Sequence, residues 1–291
     1  MNNGFMKVAV TGANGQLGLD LCTAFLDNGD QVIRLTHEQM DIADLTATKA
    51  SLLKHQPDLV INTAAMHNVE ACEEDPAQAF AVNGIGARNL ALLSESAGFT
   101  LMHISTDYVF DGAKQAPYLE NDLPIPLNVY GNTKLSGELF VQTIAQKHFI
   151  LRVSGLYGHN RCRAKGGLNF VSLMRKLASE RDEVRVVNDE FVSPTFTEDL
   201  ASQVVHMSRS TEYGLYHATA EGDCSWYEFA AKIFELTGAS IKLSAAAPGE
   251  FPAKVPRPNY SVLENGGLKA KGLNIMSHWQ EGLQKYLNQT G

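Results

Sequence analysis

The chain is poor in the features that would decide its class at once. Its 291 residues hold four cysteines (Cys22, Cys72, Cys162 and Cys224), far apart and without a C-x-x-C spacing. That usage argues against a zinc site and a disulfide scaffold, and it fits a reducing compartment. Basic charge is also short: 24 Lys and Arg stand against 32 Asp and Glu, a net charge of −8. A nucleic-acid partner is disfavoured, because phosphate backbones are bound by basic surfaces. Any anionic ligand must therefore be held by local donors. No apolar run approaches the ~18 residues of a membrane span, and no signal pattern precedes the first strand-like segment. A cytoplasmic protein is expected, with no membrane partner. Internal repeats, low-complexity segments and a cluster of metal ligands are likewise missing, so no metal is expected.

What is present is alternation. FMKVAVT (5–11), QVIRL (31–35), DLVINTA (58–64), TLMHIST (100–106) and HFILRVS (148–154) read as strands. Amphipathic stretches at 15–27, 46–55, about 76–97 and 130–147 read as the helices between them. Strands this continuously apolar, separated by helices, imply an α/β fold whose parallel sheet is covered on both faces. Beyond about residue 155 the rhythm loosens. Helices are expected at 168–177, 197–208, 225–237 and 276–287, a strand at 184–187, and a proline-rich tail at FPAKVPRP (251–258).

TGANGQLG (11–18) places Gly12, Gly15 and Gly18 between the first strand and the first helix. Gly12 suits a tight turn, Gly15 lets backbone N–H groups approach a pyrophosphate, and Gly18 lets the helix pack closely on the strand. The phosphates would lie at the helix N-terminus, against the N–H groups of Asn14, Gln16 and Leu17. The fold expected is a doubly wound, Rossmann-type parallel sheet. An NAD(P)-binding domain over 1–157 precedes a smaller, partly interleaved substrate-binding α/β part over 158–291. NAD-selective sites place a carboxylate about twenty residues beyond the glycines. Here Arg34-Leu35-Thr36-His37 stands there, and Arg34 with Thr36 suits a 2′-phosphate. NADPH is the expected cofactor, with NADH second. Asp41 and Ile42 would border the adenine, though Asp41 reads nearly as well as a turn or cap residue.

TLMHIST ends in Ser105-Thr106, and Tyr130 and Lys134 follow in YGNTK, sharing one helix face at i and i+4. A hydroxyl, a phenol and an ammonium beyond the carboxyl ends of the strands suit carbonyl reduction over a nicotinamide. A cation beside a phenol is expected to lower the phenol's pKa. Separately each residue has a plain explanation, such as backbone capping for Ser and Thr and solvation for Lys.

The motifs TGANGQLG, VINTAA (60–65), VNGIGARNLA (82–91), STDYVFDG (105–112) and PLNVYGNTKLSGE (126–138) resemble the extended short-chain dehydrogenase/reductase family. The likeness is greatest to its dTDP-4-dehydrorhamnose reductase branch. LRVSGLYG (151–158), GLNFVSLMRKLA (167–178), VVNDEFVSPTFTEDLA (186–201) and RPNYSVLEN (257–265) extend it from about residue 6 to the end. The resemblance implies reduction of the 4-keto group of a nucleotide sugar by a monomer or homodimer. It makes Thr106 the hydroxyl on the substrate carbonyl, Tyr130 the proton donor, and Lys134 the cation that binds the nicotinamide ribose. Asn62, Ala64 and Ala65 would line the cofactor, and Asn83 would lie near the site. Ser105, Asp107 and Tyr108 would be on the substrate side, although strand alternation turns Ser105 away from Thr106. Gly155 stands where the branch often has Trp, which leaves the sugar open. HNRCRAKGG (159–167) is longer and more basic than the usual link. Its Arg161, Arg163 and Lys165 are set against the substrate diphosphate, with a solvated loop as the alternative. Two other readings are another extended-family epimerase or dehydratase, and a non-catalytic NADP-binding regulatory subunit.

Overall fold

The computed structural model describes residues 5–161, 167–247 and 249–289. Five strands come in chain order: β1 (Lys7–Thr11), β2 (Gln31–Leu35), β3 (Leu59–Asn62), β4 (Thr100–Thr106) and β5 (His148–Val153). Between them run α1 (Gln16–Asp27), α2 (Leu45–His55), α3 (Val69–Glu74), α4 (Pro76–Phe80), α5 (Ala87–Ala97) and α6 (Val129–Ile144). The later chain adds α7 (Phe170–Glu180), α8 (Thr197–Ser208), α9 (Trp226–Thr237), α10 (Gly266–Ala270) and α11 (Trp279–Gln289). Its strands are short: β6 (Leu156–Tyr157) pairs β9 (Thr195–Phe196), β7 (Glu183–Val186) pairs β12 (Lys242–Ala245), and β8 (Phe191–Val192) pairs β11 (Cys224–Ser225). A further strand, β10 (Gly214–His217), joins the main sheet.

The main sheet has the order β10-β5-β4-β3-β1-β2, and every pairing in it is parallel. The chain first steps from β1 outward to β2, then crosses back to β3. This reversal opens a crevice beyond the carboxyl ends of β1 and β3, where such sheets bind ligands. One face buries Val8 and Val10 against Leu17, Leu21 and Phe25 of α1 and Leu200 and Val204 of α8. The other buries Ala9, Val60, Leu101 and Ile150 against Leu90 and Ala91 of α5 and Val141 of α6. A separate aromatic core of Tyr157, Phe196, Phe229, Trp279 and Tyr286 joins α9 and α11 to the short strands. Among the described residues, no helix is long and apolar enough to cross a membrane.

Two details depart from the sequence expectation. GLYH, four residues with a glycine and no alternation, supplies an edge strand that periodicity does not reveal. The single helix expected over 76–97 is interrupted by a π-helical segment, Ala81–Gly86. Such wide turns re-aim side chains. Here Asn83 is buried, its Oδ1 accepting from Met66 N at 2.9 Å and its Nδ2 donating to Met66 O at 2.9 Å and to Thr133 Oγ1 at 2.9 Å. It thereby ties the segment after β3 to α6.

Candidate active site

The glycine turn closes the amino-terminal side of the crevice. Gly12 has φ +66°, and a Cβ there would come within 2.9 Å of Ala64 N, so the turn lies directly against the segment following β3. A Cβ on Gly18 would stand 2.5 Å from Gly12 O, which accounts for the third glycine. Helix α1 starts at Gly15 with no side-chain cap and no acid in its first turn. Its leading N–H groups are left for an anion, and the helix dipole has the right sign. The residues present therefore fit a dinucleotide pyrophosphate. Leu17 contributes backbone only, because its side chain is in the core. Gln16 donates from Nε2 to Gly158 O at 3.1 Å. Asn14 and Ala65 are partly exposed beside the turn and beyond β3.

At the end of β2, Arg34 is exposed and reaches Cys22 of α1. Thr36 N donates to Gln39 Oε1 at 2.9 Å. Asp41 Oδ1 accepts from Ala43 N at 2.9 Å, the turn role that its spacing also allowed. Ile42 is buried against Gly86. Asn62 departs from expectation: it is 1% exposed, its Oδ1 accepts from Thr11 Oγ1 at 2.7 Å, and its Nδ2 meets His103 Nδ1 at 3.0 Å. Its polar atoms serve the interior, so it lines no cofactor surface with its side chain.

Thr106 and Tyr130 are brought together, close enough for the Thr106 hydroxyl to favour the phenolate. Thr106 Oγ1 also donates to Asp107 Oδ1 at 3.0 Å and accepts from Tyr108 N at 3.2 Å. Tyr130 and Tyr108 meet edge to face, with centroids 5.8 Å apart, and both rings are half-buried. Lys134 lies one turn along α6 from Tyr130 and is 3% exposed. Its Nζ donates to Ile104 O at 2.6 Å and faces His103 Nε2 at 3.4 Å.

The electrostatics reverse one expectation. Burial pushes the Tyr130 phenol up, opposed by the Thr106 hydroxyl and reinforced by Asp107. Burial also lowers Lys134 from 10.5 to about 8, with Glu138 opposing. Sharing a helix face does not pair the cation with the phenol, because Lys134 extends instead to the carbonyl of β4. Desolvation then dominates both groups. Tyr130 is a neutral phenol in this state.

Ser105 and Asp107 also depart from expectation. Ser105 points the opposite way from Thr106 and donates to Glu138 Oε1, so it is not on the substrate side. Asp107 is 5% exposed, and Ser154 Oγ donates to its Oδ2 at 2.8 Å. Ser261 bonds it too. Burial raises its carboxyl above the usual range despite these partners. Asp107 is thus a buried brace that ties β4 to the RPNYS segment.

Gly131, the second residue of YGNTK, has a steric reason. A Cβ there would stand 2.2 Å from Tyr108 O. Gly131→Ala is expected to push the Thr106–Tyr108 turn away from Tyr130 and to lower turnover by about 10-fold to 100-fold, since ångström displacements are costly in catalysis. Comparison of kcat with NADPH affinity checks this: unchanged kcat in a folded variant would overturn it.

A cavity of about 410 Å³ is lined by Glu70, Glu190, Phe251, Lys254 and Arg257 among others. It adjoins the site, because Glu70, Glu190 and Arg257 all act electrostatically on Tyr108. Glu70 and Arg257 form an ion pair, and burial raises the Glu190 carboxyl. Asn128, the α6 cap, donates from Nδ2 to Pro256 O at 2.9 Å and holds this wall in place. Sequence reasoning placed Glu190 and Arg257 only within motifs of the resemblance and read 251–258 as a proline-rich tail; the signal was two cations beside an aromatic. Arg161 is exposed, while its neighbours bind α1 and α11 through Asn160–Asp20 and His159–Gln289. Arg163 and Lys165 lie outside the described residues.

A glycine turn at a switch point, with a hydroxyl, a phenol and an amine around the next strand end, defines an extended short-chain dehydrogenase/reductase. Within that class, residues 6–291 match the RmlD substrate-binding domain model, and the chain belongs to that family. It is 43% identical over 283 residues to the spore coat polysaccharide biosynthesis protein SpsK of Bacillus subtilis, covering 97% of each chain. The solved dTDP-4-dehydrorhamnose reductase of Clostridium acetobutylicum superposes with a TM-score of 0.93 at 40% identity, covering 98% of this chain and 99% of that one. The Bacillus anthracis dTDP-4-dehydrorhamnose reductase, solved in complex with NADP, gives 0.92 at 36% identity, covering 98% and 100%.

Proposed function

We propose that the chain is an NADPH-dependent reductase of a 4-keto nucleotide sugar, converting dTDP-4-dehydro-L-rhamnose to dTDP-L-rhamnose. The observation that carries this reading is the Thr106–Tyr130 contact with Lys134 one turn on, at the crevice of a chain so similar to solved reductases of that substrate. Bound NADPH would supply the hydride to the keto carbon. Thr106 hydrogen-bonds the carbonyl oxygen, and Tyr130 gives that oxygen its proton as the negative charge develops. The high phenol pKa keeps the proton on Tyr130 until the far more basic alkoxide forms. Lys134 provides the cation nearest the phenolate left behind. Gly12, Gly15 and Gly18, with the N–H groups that open α1, hold the pyrophosphate, and Arg34 and Thr36 favour a 2′-phosphate.

The cavity beside Tyr108 takes the nucleotide sugar. Its volume suits a small-molecule site, and Lys254 and Arg257 are the local donors that a diphosphate requires on an acidic protein. Phe251, 56% exposed, offers the aromatic face that Gly155 lacks. The direct test follows NADPH oxidation with dTDP-4-dehydro-L-rhamnose. Bound NADPH without oxidation would sink the reductase reading and favour a binding-only role. Arg257→Leu is expected to raise the KM for the sugar nucleotide about tenfold or more with unchanged NADPH affinity, the scale of a lost charged hydrogen bond. An unaltered KM would remove the cavity from the assignment.

A further inference from the structure

A row of polar side chains crosses the sheet beneath Lys134. Thr11 is registered opposite Asn62, and Asn62 opposite His103, across β1, β3 and β4. All three are 1% exposed, on the face covered by α6. Their hydrogen bonds run in one direction. Thr11 Oγ1 donates to Asn62 Oδ1, which turns the Asn62 amide so that Nδ2 donates to His103 Nδ1. With Nδ1 accepting, the neutral ring carries its proton on Nε2. That N–H faces Lys134 Nζ at 3.4 Å.

A donor aimed at an amine favours the uncharged amine, whose lone pair accepts it, over the ammonium, which has no acceptor. We propose that His103, oriented through Asn62 and Thr11, is a positioning residue that favours the neutral amine of Lys134 and so eases loss of its proton in the free enzyme. At alkaline pH, arrival of the nicotinamide cofactor is then coupled to proton uptake from solvent by Lys134 Nζ, up to one proton where the amine is fully neutral beforehand. The inference rests on the reading of Tyr130 and Lys134 as the catalytic couple.

Burial lowers Lys134 most, and beyond it the surroundings leave the balance to His103. On its own helix Lys134 has Glu138 one turn on, which favours the ammonium, and the neutral Tyr130 one turn back. Arg152 of β5 is committed to Glu138 and blunts that carboxylate. From β3 only the uncharged Asn62 takes part, and from the π-helical segment only the uncharged Asn83, through Thr133. His103 itself does not charge, since burial, and after it the positive charge that Lys134 carries when protonated, drive its pKa well down. Lys134 at about 8 agrees with the geometry.

Calorimetric titration of the full chain with NADPH at pH 8.5, in two buffers of different ionisation enthalpy, reads the proton directly. The parent is expected to take up about three-quarters of a proton, the unprotonated fraction of an amine titrating near 8. Lys134→Met should take up almost none. His103→Gln puts an adaptable amide oxygen within reach of the ammonium, and its uptake should fall to less than half. Equal uptake in the parent and His103→Gln, or uptake that persists in Lys134→Met, would overturn the proposal. A readout that needs no variant is the ¹⁵N spectrum of His103 in the free protein. Protonation at Nε2 is expected, and an Nδ1–H ring would refute the mechanism. Near-normal turnover by Lys134→Met would instead sink the catalytic couple itself, and the binding measurements keep the two failures apart.

Discussion

Tyr130→Phe is expected to lower turnover by at least ~100-fold while NADPH affinity stays within about twofold, the signature of a lost proton donor. The phenol lies beside the Thr106 hydroxyl and meets the Tyr108 ring edge to face. Phenylalanine keeps the ring packing and removes only the proton. Because burial holds the phenol protonated, Tyr130 does not set the alkaline limb of the pH profile. Lys134 does. Its ammonium is lost as pH rises through about 8, so kcat/KM, which reports the free enzyme, should decline above that pH. The same depression affects stability. The folded state binds fewer protons at Lys134 than the unfolded chain between about 8 and 10.5, so this residue's burial costs stability fully below that window. The cost is relieved as pH rises across it. Near-normal turnover in Tyr130→Phe would remove the proton donor from the scheme.

The parts of the molecule legible in the sequence are those whose chemistry is local. TGANGQLG announces a tight turn because backbone approaches at Gly12 and Gly18 exclude a Cβ, and QVIRL and TLMHIST are strands because each is a short apolar run between breakers. The helix over 197–208 matches residue for residue. YGNTK was legible as a shared face, but not as a direction. The i, i+4 rule states that Tyr130 and Lys134 are neighbours and does not say that the amine runs to Ile104 O on β4. Roles that depend on register were hidden for the same reason. Asn62 looked like a cofactor residue because it ends a strand at the crevice, yet pairing with Thr11 on one side and His103 on the other turns its amide inward. Asp107 looked like a pocket acid until Ser154 and Ser261, distant in the chain, closed around it. The cavity cations Lys254 and Arg257 sit in a segment with no periodicity, and only the folded chain brings them beside Tyr108.

The second large effect concerns an ion pair buried behind the site. Glu138 and Arg152 are 2% and 3% exposed, and Arg152 Nη2 donates to Glu138 Oε2 at 2.7 Å, while Nε reaches Oε1 at 3.0 Å. Ser105 satisfies Glu138 further, and the guanidinium lies 5.0 Å from the centre of the Phe110 ring. Taking both charges out of water costs nearly what their attraction returns, so the intact pair adds little net stability. Removing one partner is different, because it strands the other charge in the interior. Arg152→Leu is expected to destabilise by about 3–5 kcal/mol and to lower the thermal midpoint by roughly 10 °C. The double variant Arg152→Leu/Glu138→Leu should recover most of that loss, leaving mainly the unpaired Ser105 hydroxyl. Parallel thermal and denaturant unfolding of the parent, both single variants and the double variant measures the coupling. Additive losses would show that the two charges do not compensate each other, and a single-variant loss below about 1 kcal/mol would make the pair no more than a surface bridge. The double variant also bears on catalysis. Without the Glu138 carboxylate the Lys134 ammonium loses its one stabilising charge, so the alkaline limb of kcat/KM should move to lower pH. The helix stripe Tyr130, Lys134 and Glu138 therefore runs from proton donor to fold anchor, with Glu138 favouring the charged form of Lys134.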